Sequence, residues 1–171
     1  MNKLIKMIVV LTVIGLISGG ILAYVYQWAQ PKIIINQIRE TDAAVFKVVP
    51  GTGSYKEKTK GDVIYFECFS ETGTMTGYAI LCQGNGYQGV IKMMVGVNAD
   101  FSKFTGLNVL EQMETPGLGA KIAEAKFRQQ FIGLSAQKPL DLVMVKPITG
   151  ATISSAAVVN IINKNIEQWL K

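Results

Sequence analysis

The 171-residue sequence contains no histidine and only two cysteines, Cys68 and Cys82. Histidine and cysteine are the usual protein ligands of zinc, haem iron and iron–sulfur clusters, and histidine is the base of most catalytic triads. Their scarcity excludes these centres within the chain, so redox chemistry would need an organic cofactor. We expect the two thiols to be buried and free.

The chain also lacks any run of adjacent basic residues, although 17 Lys and Arg against 12 Asp and Glu give a net charge of +5. Lys3, Lys6 and Lys32 flank an apolar segment, and the other basic residues are scattered. A nucleic-acid-binding domain carries its basic residues as a patch or stripe. The charge excess therefore does not predict nucleic acid as a partner.

Charge is absent altogether from Met7 to Tyr26. An uncharged segment of about 20 residues is long enough to cross a hydrocarbon core as a helix. The alternative is a cleaved signal peptide, whose apolar core is shorter. We favour an uncleaved anchor over residues 1–30, in contact with lipid of the cell (inner) membrane. Lys3 and Lys6 then predict a cytoplasmic N-terminus and an extracytoplasmic remainder, by the positive-inside rule.

Helical spacing of apolar residues predicts three further helical segments, at residues 31–50, 120–130 and 153–170. The first is a connecting amphipathic helix that begins at Pro31 and stops at Pro50-Gly51. The residues predicted to be buried in the first and last of these helices are Ile34, Ile38, Ala44, Val45, Val48, Val158, Ile161, Ile162, Ile166 and Trp169.

The remaining residues predict a sheet. The composition of residues 51–61 indicates a loop, and strands are predicted at 63–69, 75–82, 90–97, 104–111 and 140–145, the first two as a hairpin. The predicted fold class is therefore α+β. A mostly antiparallel sheet packs against helices in one domain over residues 51–171.

The stretch Thr149-Gly150-Ala151-Thr152-Ile153-Ser154-Ser155 joins the last predicted strand to the last predicted helix. A helix that starts at a hydroxyl residue after a flexible turn offers free backbone N–H groups to an anion. Residues 153–160 carry no acidic side chain that would compete for the positive end of the helix dipole. The competing interpretation is that Thr152 simply caps the helix.

Two other stretches are rich in glycine. Glu114-Thr115-Pro116-Gly117-Leu118-Gly119-Ala120-Lys121 follows Val109-Leu110-Glu111, and its Pro-Gly pair by itself predicts an ordinary type II turn. Gly86-Tyr87-Gln88-Gly89-Val90-Ile91-Lys92 has neither P-loop nor dinucleotide-binding spacing, so by itself it predicts a tight connector.

In this order, the three stretches resemble motifs of the FMN-binding domain family, over residues 77–164. That family includes the G subunit of the Rnf complex, an ion-translocating ferredoxin:NAD oxidoreductase, and the C subunit of the sodium-translocating NADH:quinone reductase. The Thr-Gly-Ala-Thr run resembles the family's flavinylation motif, whose last Thr is joined to FMN through a phosphoester. Thr152 stands at that position, and Lys146 stands where the pattern usually has Asp.

The resemblance implies a membrane-anchored flavoprotein subunit of an Rnf-type electron-transport complex, which carries electrons through covalent FMN rather than acting as a stand-alone enzyme. It implies as partners the other subunits and, for maturation, an FAD-dependent flavin transferase that uses magnesium. The alternatives are a C-type subunit of the quinone reductase, or an anchored non-redox assembly or binding subunit that has lost its flavin. Lys146 favours the last of these.

The resemblance also implies a set of cofactor-binding residues, with no metal ligand and no catalytic residue among them. The phosphate is expected at the N–H groups and hydroxyls that follow Thr152, and the Pro-Gly loop is expected against the isoalloxazine ring. Lys121 and Lys146 are both candidates for a cation beside the ring. The implied set is Thr152, Thr149, Gly150, Ala151, Ile153, Ser154, Ser155, Glu114, Thr115, Pro116, Gly117, Leu118, Gly119 and Lys121.

Overall fold

The structure is a computed structural model that describes residues 2–170. The described residues form two compact units, 2–40 and 41–170. The elements in chain order are α1 (Lys3–Val48), β1 (Ser54–Lys60), β2 (Val63–Phe69), β3 (Met75–Asn85), β4 (Val90–Asn98), β5 (Phe104–Glu111), α2 (Ala125–Arg128) and α3 (Thr152–Leu170). The predicted division of the chain after residues 30 and 50 stays a prediction.

The first unit is the long N-terminal part of α1. Within residues 2–170, α1 is the one helix that is long and apolar enough to cross a membrane. Pro31 lies inside it, so the separate helix predicted to begin at Pro31 is wrong. Proline removes one backbone donor, but extending a helix that already exists is favourable on both sides of that position. Trp28 and Lys32 are one helical turn apart on α1, and the Lys32 ammonium lies 3.4 Å from the centre of the Trp28 ring in a cation–π contact.

The second unit is built on a five-stranded antiparallel sheet in the order β1-β2-β3-β4-β5. The predicted antiparallel sheet and the β2–β3 hairpin are confirmed. The predicted loop over residues 51–61 is wrong, because β1 pairs with β2 there as an edge strand. Most of its residues are exposed and three are lysines, so the apolar alternation that reveals a strand is missing.

The strand predicted at 140–145 is also wrong. Residues Leu142–Met144 form a 3₁₀ turn instead, and Asp141 accepts a hydrogen bond from the Val143 amide at 3.1 Å. At the start of this run, Asn163 of α3 takes both backbone groups of Leu140, at 2.8 Å each. The backbone groups of Leu140 are therefore satisfied by a side chain rather than by a strand.

The helix predicted at 120–130 is present only as separate turns. These are two 3₁₀ turns, Gly119–Ala123 and Gln129–Phe131, with the four-residue helix α2 between them. Glu124 is extended (φ −72°, ψ 146°) and separates the first turn from α2. The long terminal helix, in contrast, is confirmed as α3.

The sheet carries a hydrophobic core on each face. On one face α3 buries four of its five predicted positions, with Trp169 partly buried. On the other face Ala44, Val45 and Val48 of α1 are buried as predicted, whereas Ile34 and Ile38, in the first unit, are exposed.

The two cysteines belong to different cores, Cys68 with α1 and Cys82 with α3. Because these cores lie on opposite faces of the sheet, the thiols cannot meet. Both are buried and free, as predicted. Burial without a charged partner raises the pKa of the Cys82 thiol.

The C-terminal end of α1 lies directly on two glycines that face each other across β4 and β5. A Cβ built on Gly106 would lie 2.7 Å from Val48 Cα, and one on Gly96 would overlap the Val48 carbonyl oxygen. The Thr105 hydroxyl donates to that oxygen at 2.6 Å. The absence of side chains at this pair is what lets the helix end reach the sheet.

Candidate functional site

A buried carboxylate connects the three glycine-rich or hydroxyl-rich stretches. Glu114 is 3% exposed, and its Oε1 accepts hydrogen bonds from the backbone N–H groups of Tyr87 at 2.8 Å and Gln88 at 3.1 Å. Its Oε2 accepts from the Ser154 hydroxyl at 2.5 Å. One side chain therefore ties the loop after β3, the loop after β5 and the first turn of α3.

Two glycines leave the room that this carboxylate occupies. A Cβ on Gly119 would lie 2.6 Å from Ser154 Oγ and 2.8 Å from Glu114 Oε2. A Cβ on Gly86 would overlap Glu114 Oε1. Glu114, Gly119 and Ser154, all in the set expected at the cofactor, thus pack against one another inside the protein.

The turn that precedes α3 is held by its own backbone and by Ser155. Gly150 has φ +80°, and the Ala151 amide donates to Ile148 O at 2.9 Å. The Ser155 hydroxyl accepts from the Ile148 amide and donates to Ala151 O, both at 3.0 Å. The Ser155 amide also donates to Ala151 O, at 3.1 Å. Contrary to expectation, the Ser155 donors and the Ser154 hydroxyl are engaged within the protein.

The free donors at the start of α3 lie one residue earlier than expected. The backbone N–H groups of Thr152, Ile153 and Ser154 have no acceptor among residues 2–170, and the side chains of Thr152 and Ile153 are exposed. Unpaired N–H groups and the helix dipole make this end attractive to an anion. The first turn has no acidic side chain of its own, but the fold brings in the carboxylate of Glu114, which sequence spacing could not reveal.

The Pro-Gly stretch forms a tight exposed turn. The Leu118 and Ala120 amides both donate to Thr115 O at 3.1 Å, and Gly117 has φ +77°. A left-handed residue in the third position matches a type II turn. No heavy atom of the described residues lies within 4 Å of a Cβ built on Gly117, so its conformation, not crowding, favours glycine there.

Two neighbouring cavities are lined by ten of the fourteen predicted site residues, whereas Glu114, Pro116, Gly117 and Ser155 line neither. The smaller, about 310 Å³, is lined by both site loops and the start of α3: Tyr87, Thr115, Leu118, Gly119, Gly150, Ala151, Thr152, Ile153 and Ser154. The larger, about 540 Å³, carries three lysines: Lys121, Lys126 and Lys146, with Glu124, Phe127, Gln130, Pro147, Ile148 and Thr149. Thr152 thus opens on one cavity, and both lysine candidates line the other.

Two residues at these cavities were missed by the sequence analysis as site residues. Tyr87 lies in one of the three stretches, but no role was predicted for it. Gln130 holds Lys146 in place by accepting from its amide at 2.8 Å and donating to its carbonyl at 3.3 Å. Sixteen residues separate the pair, and no spacing rule could have found this contact.

Comparison with known proteins agrees with this geometry. The profile of the FMN-binding domain family matches residues 86–167, which contain all three site stretches. The G subunit of the ion-translocating oxidoreductase complex of Methanosarcina acetivorans is 30% identical to this chain, over 97% of this chain and 94% of its own length. This chain belongs to the FMN-binding domain family, among the G subunits of ion-translocating oxidoreductase complexes.

A second relative is the G subunit of the proton-translocating ferredoxin:NAD(+) oxidoreductase complex of Clostridium ljungdahlii, 29% identical over 92% of this chain and 87% of its own length. Among solved structures, the C subunit of the Na(+)-translocating NADH-quinone reductase of Parabacteroides distasonis superposes with a TM-score of 0.64, over 81% of this chain and 94% of that chain. The sequence identity is 18%, so this likeness concerns the fold alone. It confirms the predicted α+β class.

The residues present fit the cofactor of this family. An anionic phosphate needs several unpaired donors, which Thr152, Ile153 and Ser154 supply at the start of a 19-residue helix. A planar ring needs an apolar wall with a few polar groups, and cavities of roughly 300–1,000 Å³ are usual for such ligands. Both cavities beside Thr152 and Thr149 lie within that range.

Proposed function

We propose that this protein is the membrane-anchored flavoprotein subunit of an Rnf-type, ion-translocating electron-transport complex, with FMN joined to Thr152 through a phosphoester. The observation that carries the proposal is the exposed Thr152 side chain at a helix start whose first three N–H groups have no acceptor in the described part of the chain. A phosphate bonded to that hydroxyl would lie where these donors and the helix dipole stabilise negative charge.

The surroundings of Thr152 support a ring site as well. Leu118, Ile153 and Tyr87 are exposed and line the cavity on which Thr152 opens, so they offer the apolar area that a flavin ring would cover. Lys121 and Lys146 line the adjacent cavity. A lysine near the ring would favour the reduced, negatively charged form of the cofactor through Coulomb attraction.

Bound FMN would accept electrons from one carrier and deliver them to another. The chain's own residues would hold the phosphate, orient the ring and exclude water from one side of it. The relatives named above are subunits of multi-subunit oxidoreductase complexes, which supports other subunits of such a complex as partners. Attachment would require a separate FAD-dependent flavin transferase that uses magnesium.

The apolar helix α1 supports anchoring in the cell (inner) membrane, with lipid around residues 1–30. Lys3 and Lys6 favour a cytoplasmic N-terminus, which would put the flavin domain outside the cytoplasm. A covalent bond would prevent loss of the cofactor from that compartment. The alternative of a quinone-reductase subunit gains no support from the solved neighbours, because their likeness concerns the fold alone.

The test is the mass of the protein purified from its native host. We expect an increase of one FMN less water on a peptide that contains Thr152, and its complete loss in Thr152→Ala. Thr149→Ala is the matched control, because it removes a neighbouring exposed hydroxyl outside α3 and should at most weaken attachment. An unmodified native chain, or flavin on another residue, would refute the proposal.

A further inference from the structure

Glu114 is a buried acid that forms no ion pair with any basic residue the structure describes. The two ion pairs found among residues 2–170 involve Glu67 and Glu111, not Glu114. A buried carboxylate is costly unless hydrogen bonds replace its water shell. Here two backbone amides and one hydroxyl fill that role, so the side chain is held on three sides by protein.

We propose that Glu114 is a positioning residue of the flavin site and not a ligand of the flavin. It would fix the first turn of α3, and with it Thr152, against the loop that carries Tyr87. The effect on cofactor placement rests on the proposed function. The positioning itself rests on hydrogen bonds within the protein.

Glu114 reaches the cavity beside Thr152 through residues that it contacts directly. Ser154 stands two residues after Thr152 in the same helical turn, and its hydroxyl donates to Oε2 of Glu114. Tyr87, whose amide donates to Oε1, lines the same cavity as Thr152. The carboxylate therefore sets the separation of two walls of that cavity.

The carboxylate has little freedom to move. Gln112 accepts a hydrogen bond from the Glu114 amide at 2.7 Å, which holds its backbone. Gly86 and Gly119 pack against its two oxygens so closely that neither glycine has room for a Cβ. A side chain confined in this way cannot turn toward a ligand without breaking its present contacts.

Substitutions at Glu114 can separate the effect of its hydrogen bonds from the effect of its negative charge. In Glu114→Gln the amide oxygen can still accept from Tyr87 and Gln88, and the new NH₂ can donate to Ser154 Oγ, since a hydroxyl both donates and accepts. That variant loses the charge but keeps all three contacts. Glu114→Ala loses all three, and Ser154→Ala loses only the link to α3.

The experiment uses the full-length protein produced with its flavin transferase. For each variant we would measure the rate of flavin attachment by intact mass, the flavin absorption spectrum and midpoint potential, thermal stability, and amide exchange at residues 86–88 and 152–155. Asn163→Ala is the matched control. It removes a side chain that ties α3 to another loop, at Leu140, and that lines neither cavity described above.

We expect Glu114→Gln to resemble wild type in attachment, spectrum and exchange. Glu114→Ala and Ser154→Ala should slow attachment by about tenfold, the factor that corresponds to one hydrogen bond to a charged group, and should speed exchange of the first turn of α3. Asn163→Ala should lower the melting temperature without changing the flavin. Ser154→Ala keeps the test valid if Glu114→Ala does not fold.

Two results would overturn the inference. One is a Glu114→Gln variant in which flavin attachment is slowed as much as in Glu114→Ala, which would assign the role to the charge. The other is a folded Glu114→Ala or Ser154→Ala protein with wild-type attachment, spectrum and exchange. If wild type itself carries no flavin, the proposed function fails separately, and the exchange data alone decide whether Glu114 holds the turn.

Discussion

The contact between the end of α1 and the sheet can be tested at one glycine. Gly96→Ala would introduce a methyl group that overlaps the carbonyl oxygen of Val48, which is buried and accepts a hydrogen bond from Thr105 at 2.6 Å. Since the obstacle is backbone rather than a flexible side chain, the helix end must shift. The sheet and the helix would then separate at this point.

The size of the effect follows from two contributions. Inserting a methylene-sized group into a packed core costs about 1–3 kcal/mol. If Val48 moves out of reach of Thr105, its buried carbonyl loses a partner, which costs about 1–3 kcal/mol more. Because a domain of this size loses roughly 4 °C per kcal/mol, we expect the melting temperature to fall by about 10 °C or more.

The assay is thermal unfolding of the full-length protein in detergent, followed by circular dichroism, with amide exchange of residues 44–49 as a local probe. Thr105→Val should show the hydrogen-bond contribution alone. Gly77→Ala is the matched control, since the nearest atoms that a Cβ there would meet belong to Val97 and Asn98 of β4 and not to α1. It should lower the melting temperature without selectively exposing residues 44–49. An unchanged melting temperature and unchanged exchange in Gly96→Ala would refute the predicted contact.

Three further predictions concern the cofactor loop, pH and topology. Gly117→Val forces a branched residue into φ +77°, at a local cost of about 1–3 kcal/mol. This variant should keep covalent FMN but shift the midpoint potential of the flavin in a redox titration, whereas Gly117→Asn should not shift it, because asparagine tolerates that conformation. An unchanged potential in the folded valine variant would contradict contact between this loop and the ring. The hydrogen bond to Asp42 raises the pKa of Tyr55 from 10.0 to about 12. The stability that this hydrogen bond contributes is therefore complete below pH 10 and is lost as pH rises toward 12. In urea unfolding, the free energy of unfolding of Tyr55→Phe should decline less than that of wild type over this pH window. An equal decline in the two proteins would refute the contribution of the hydrogen bond. An exposed cysteine introduced by Asp62→Cys should react with a membrane-impermeant maleimide added outside the cytoplasmic membrane. Background labelling should be low, because both native thiols are buried. Labelling in inverted vesicles only would indicate the opposite topology.

The sequence could predict elements that bury many apolar residues of their own, on one face or on both. Strands β2 to β5 and helix α3 each bury a regular set of apolar residues, so their patterns were informative. The edge strand β1 buries almost nothing and was missed, because its formation depends on pairing with β2 rather than on its own composition. The run at 140–145 had an apolar composition but no partner strand, and Asn163 took its first backbone groups instead.

The features of the site likewise fall into those that local sequence predicts and those that depend on the tertiary structure. The order of the three stretches and the position of Thr152 at a helix start follow from local sequence, because glycine conformations and free helix N–H groups are local properties. The sequence also determined which redox centres the chain cannot build, since no histidine and two cysteines cannot supply the ligands of a His-ligated haem or of a four-Cys iron–sulfur cluster. The tertiary structure alone decided which donors remain free, which lysines share a cavity and where Glu114 points. Those contacts join residues 16 to 40 positions apart, and only packing of the sheet against α3 and its neighbouring loops brings such residues within hydrogen-bond distance.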